Sequence, residues 1–115
     1  YGLSDEQVAQ MLQEGFATAQ ADMKARALVE ARVDLNRLMD ATRSALQADG
    51  DLLTVQAREA IFAQLVSSET LLTHEDAAAI EAATKALAAC TEPFAALRMN
   101  HRIAQALAGQ SINDL

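Results

Sequence analysis

Apolar residues in this chain recur at helical spacing almost from its first residue. Ser4-Asp5-Glu6-Gln7 reads as a helix start: Ser4 can cap the turn, Gln7 can reach back to it, and Leu3 and Val8 have the spacing of a hydrophobic staple. Asp5 and Glu6 also suit the positive end of a helix dipole. Val8, Met11, Leu12 and Phe16 follow at helical spacing and predict a front helix over about 5–17. Gly15 and Thr18 lower the helical propensity there, so a bend is expected at 15–20.

From 19 to 49 nothing breaks a helix. Leu28, Ala31, Leu35, Leu38, Thr42 and Ala45 step alternately by three and four residues, the narrow seam of a coiled coil. Met39 and Leu46 widen its C-terminal half into the broader stripe of a bundle helix. About 30 residues at 1.5 Å each make a rod of roughly 45 Å, longer than a globule of this mass is wide. One end must therefore project or lie on something else. Gly50 is expected to end the rod as a left-handed residue.

Three shorter helices are predicted next. Thr54 caps one over about 55–66, carrying Ala57, Ile61, Leu65 and Val66. Ser67-Ser68-Glu69-Thr70 reads as a polar connection. Thr73-His74-Glu75-Asp76 starts a helix over 74–90, with Ile80, Ala83, Leu87 and Cys90 on one face. Pro93 then either kinks the helix or opens a new one capped by Thr91. The last helix, 92–108, would bring Phe94, Leu97, Ile103 and Leu107 to the bundle and stop at Gly109, leaving 110–115 as a mobile tail.

Composition supports an all-α fold. The 115 residues include 26 Ala and 15 Leu against 5 Val and 4 Ile, with 4 Gly and 1 Pro. The hydrophobic share of 51% is too high for a disordered chain. A formal net charge of −7, with no basic stripe, argues against nucleic acid and anionic membranes as partners. No apolar run reaches the ~20 residues a membrane crossing needs. The single Cys90 fits a reducing compartment, the cytoplasm. Tyr1-Gly2-Leu3 reads as a cut through a longer polypeptide.

Chemistry-bearing patterns are scarce. His74, Cys90 and His101 stand 16 and 11 residues apart, far from the tight spacing of a zinc site. Glu75 and Asp76 are adjacent and point about 100° apart on a helix, where their electrostatic value at a helix start already accounts for them. Met11 and Met39 read as packing residues. No catalytic, cofactor-binding or metal-binding residue is assigned, and the chain is not expected to be an enzyme.

The order of elements is more specific: a short helix, a bend, a very long helix, then three shorter ones. Together with Tyr1-Gly2-Leu3-Ser4-Asp5, Ala21-Asp22-Met23-Lys24-Ala25-Arg26, Ala48-Asp49-Gly50-Asp51-Leu52-Leu53, residues 76–85 (DAAAIEAATK), Phe94 to Met99 and Ala106 to Ile112, it resembles the C-terminal helical lid of DnaK-type chaperones of the heat shock protein 70 family. Within that family it is most similar to the branch that serves iron–sulfur cluster assembly, and the likeness spans the whole chain. Each block alone is weak; their order and spacing carry the resemblance.

The resemblance implies a lid, residues 1–115, that closes over a client peptide held by a β-sandwich subdomain, with ATP bound in a further domain outside this chain. Implied partners are the sandwich itself, a J-protein of the HscB kind and a cluster scaffold of the IscU kind. Val8, Met11, Leu12 and Phe16 would rest on the sandwich. DnaK latches its lid with an acidic residue and a histidine one turn later; the matching positions here are Asn36 and Asp40. Asn36 cannot make that ion pair, so latching is expected to be weaker or to use other contacts, Met39 and Asp40 among them. Without its neighbour the exposed stripe would favour self-association. A stand-alone helical interaction or dimerisation module is the alternative, and the sequence upstream of Tyr1 would separate the two.

Overall fold

A computed structural model describes residues 2–113, with side chains through 110. It is all-α: 91 Å long and 33 by 16 Å across, with a Cα radius of gyration of 23.5 Å. A compact chain of this length would have a radius near 13 Å.

Helix α1 runs unbroken over Asp5–Asp49, 45 residues. The Gln7 N–H donates to Ser4 Oγ at 3.1 Å, and the Ser4 N–H donates to Gln7 Oε1 at 2.8 Å, completing the capping box read from the sequence. The bend expected at 15–20 is absent, so the front and long helices are one rod. Gly15 costs only about 1 kcal/mol in a helix. Its neighbours are good helix formers, and every residue from 2 to 26 is exposed, so no tertiary contact pulls the segment aside.

Gly50 does not end α1 in the left-handed region. Its φ of −56° and ψ of −25° are right-handed, and the chain tightens into a 3-10 turn over Gly50–Leu52. Arg58 donates to the Gly50 carbonyl at 2.9 Å, satisfying one of the carbonyls a helix end leaves open. Helix α2, Val55–Leu71, opens on Thr54, whose Oγ1 accepts the Ala57 N–H at 3.1 Å. It continues past 66, and two hydroxyls of the expected connection are accommodated by bonding back within the helix. Ser68, fully buried, donates to Gln64 O at 2.7 Å, and Thr70 donates to Ser67 O at 2.7 Å.

Helix α3, Ala77–Asn113, begins later than the expected 74 and merges the two predicted final helices. Asp76 caps it: its carboxylate accepts the Ala78 N–H at 3.0 Å and its carbonyl the Ile80 N–H at 3.2 Å. Pro93 lies within the helix, neither starting nor ending it. Thr91 Oγ1 donates to Leu87 O at 2.9 Å and Ala88 O at 3.0 Å in the turn before it. Gly109 also lies inside α3, which reaches Asn113; the part of the predicted tail at 114–115 lies outside the described residues.

The three helices run up, down and up. Arg32 reaches the His74 carbonyl just before α3, while Asp49 pairs with Arg98 at the far end, so α1 and α3 lie parallel. Arg43 on α1 pairs with Glu69 near the end of α2, which returns between them antiparallel. The seam predicted for α1 packs as expected: Ala31, Leu35, Thr42 and Ala45 are buried, with Leu28 and Leu38 half-buried. Met39, Ile61, Leu65, Ile80, Ala83, Leu87 and Phe94 complete one core. The α1 rod, about 67 Å, and the roughly 22 Å of α3 beyond Arg98 account for the length of the molecule.

Candidate functional site

Two bare helical arms leave the bundle at opposite ends. The first is α1 from 5 to 26, and the second is α3 from 99 onward; all their described side chains are exposed. On the first arm Val8, Met11, Leu12 and Phe16 stand in solvent, Leu12 at 69% and Phe16 at 65% exposure. The sequence assigns these four to an interface, and the fold brings them together as one apolar stripe. Met11 is therefore not a packing residue.

The direction of that stripe decides what it can touch. Leu12 and Leu35 are 23 residues apart, which turns about 140° at 100° per residue. The stripe therefore faces away from the bundle. Exposed Val29 and Val33 continue it on the same side, a continuation that helical phase alone could have found. Asn36 and Asp40 are exposed beside it; Asp40 lies 3.9 Å from Arg43. Met39 does not join them. It is 1% exposed and packs into the core, because it sits one turn beyond Leu35 on the inward face. The latch contacts expected of Met39 are thus unavailable to it.

On the second arm Met99, Ile103 and Leu107 are exposed, with Leu97 at the junction. Sequence reasoning sent Leu97, Ile103 and Leu107 to the bundle. Phase explains Ile103 and Leu107, which stand nine and thirteen residues beyond buried Phe94, about 180° and 140° around the helix; Leu97 is only about 60° from Phe94 and is exposed because it lies where α3 leaves the bundle. Val66, read as a bundle residue on α2, is likewise exposed.

Electrostatics is unremarkable for chemistry. Arg98 Nε donates to Asp49 Oδ2 at 2.7 Å and holds that carboxyl below the usual carboxylate range, while the same guanidinium lies 5.8 Å from the Phe94 ring centroid. Burial pushes the Cys90 thiol up, away from the reactive thiolate, and the thiol donates to Leu87 O at 3.4 Å. Among the described residues no three His, Cys, Asp or Glu side chains gather as a metal site requires. No helix there is long and apolar enough to cross a membrane.

The fold is a bundle of three helices from which two bare apolar arms extend. The chain belongs to the Hsp70 family: the family model described as Hsp70 protein matches residues 1–100. It is similar over its whole length to proteins described as chaperone protein HscA homologs. Identity is 63% with that of Delftia acidovorans, 60% with that of Paracidovorax citrulli and 50% with that of Burkholderia thailandensis. In each case all of this chain aligns, and it spans 18% of the relative's length.

Proposed function

We propose that this chain is the lid of the substrate-binding domain of an HscA-type chaperone and closes over a bound client peptide. The single observation that carries this reading is the first arm: a straight α1 that leaves the bundle with its apolar stripe turned away from the core. A stripe so placed suits a surface lying beneath the arm, and the bundle behind it stiffens the rod. Likeness to the HscA homologs over the whole chain supports the assignment. ATP binding, a J-protein of the HscB kind, an IscU-like scaffold as client and a cytoplasmic setting belong to the same reading, through parts of the chaperone outside this chain. Asp40, exposed beside the stripe, is the proposed latch position.

The test is release of a fluorescent client peptide from the ADP-bound intact chaperone. Removing the lid, or replacing Leu12 and Phe16 with Asp, should speed dissociation about tenfold or more, since altered contacts act mostly on off-rates. Unchanged dissociation in both would overturn the proposal.

A further inference from the structure

Three features weaken the same stretch of α3. Pro93 has no N–H to give the Ala89 carbonyl, and its ring crowds that turn. Just before it, Thr91 Oγ1 donates to Leu87 O at 2.9 Å and to Ala88 O at 3.0 Å, a back-bonding that bends helices. Packing against α1 is also open there. A cleft of about 150 Å³ lies between Ala41 and Ala45 on one side and Thr91 and Ala95 on the other. Helices kink most readily where a proline has removed a rung of the ladder.

What keeps α3 straight lies beyond the proline. Among the described residues after Pro93, only Phe94 and Arg98 are not exposed. Phe94 is seated in the core immediately after the proline, so it can act as a pivot but gives no leverage against bending. Arg98 stands one turn farther out, where it bonds Asp49 at 2.7 Å at the end of α1 and lies 5.8 Å from the Phe94 ring centroid. We infer that Pro93 is a hinge, and that the Asp49–Arg98 pair is the clasp holding the second arm in line with the bundle. With the clasp open, the arm swings about Pro93 while α1, α2 and the part of α3 before the proline stay packed. A kink of about 25° would carry the tip of the arm, about 30 Å from the hinge, roughly 13 Å sideways. One ion pair thus decides where Met99, Ile103 and Leu107 point.

The inference concerns the chain by itself and does not rest on the lid reading, so either can fail without the other. Double electron–electron resonance on the 115-residue chain tests it, with nitroxides at S44C and A108C in a C90S background. Serine at 90 keeps a donor for the Leu87 carbonyl that Cys90 bonds. The clasped chain should give one narrow distance distribution. D49N keeps the shape of the side chain but removes its charge, and should broaden that distribution by about 5 Å. Adding P93A to D49N restores the missing rung and should return the narrow distribution. A second pair inside the bundle, S44C with E81C, should stay narrow in every variant. The inference is overturned if the wild-type arm is already as broad as that of D49N, or if D49N stays narrow. It is equally overturned if P93A fails to narrow D49N, which would put the bend elsewhere, or if the bundle pair broadens, which would make the change a loosened core.

Discussion

Asp49 occupies a place where a helix tolerates a carboxylate poorly. It is the last residue of α1, at the negative end of the helix dipole. Arg98 reverses that penalty and, through it, ties the end of α1 to α3 just where α3 leaves the bundle. The bonded carboxyl titrates below its unfolded value of about 3.9. The stability it confers is therefore present above that pH and fades as pH falls through the lower folded value. Asp49→Asn should lower the urea midpoint at pH 7, and the gap from wild type should close as pH is taken below the carboxylate range. A gap that persisted in acid would mean the pair acts by packing alone. The inward residues of α1 were readable because a seam spaced by threes and fours leaves little choice of face. Met39, read both as a packing residue and as a latch substitute, packs inward, as its spacing from Leu35 already implied.

At the scale of elements, starts were easier to read than stops. Ser4 and Thr54 begin helices because their own side chains accept backbone N–H groups, a short-range event that the sequence displays. Gly15, Gly50, Pro93 and Gly109 were expected to bend or end helices, yet none introduces a left-handed residue and three lie within continuous helix. Each breaker carries a bounded cost, which strong helix formers on both sides can absorb. Pro93 should be the most expensive of them: it lacks the N–H that would bond the Ala89 carbonyl and its ring crowds that turn. Pro93 is exposed, so Pro93→Ala should disturb no packing and should stabilise the bundle by about 1–2 kcal/mol, part of the helix gain being offset by a freer unfolded chain. Thermal denaturation would show a higher midpoint; a lower one would mean that the proline shapes the bundle.

The whole molecule is a short core with two long overhangs, and its stability should be divided the same way. Amides of the first arm depend on helical hydrogen bonds alone, whereas those around Leu35, Ile61 and Leu87 open only when the core does. Hydrogen exchange should show residues 8–26 exchanging orders of magnitude faster than residues 33–46, although both belong to one helix. Equal protection along α1 would mean the arm is covered. A rod too long for its own globule was legible from uninterrupted helical sequence. The second overhang was not, because Ile103 and Leu107 are hydrophobic enough to suggest a core, and only their phase against Phe94 shows otherwise.

Parallel outer helices also decide how the molecule would answer a mechanical load. Tension applied between the free tip of α1 and the free tip of α3 draws those two helices past one another lengthwise, rather than peeling them apart from one end. Leu35, Met39, Leu87, Phe94 and the Asp49–Arg98 pair would then resist together. The bundle would hold as a shear joint.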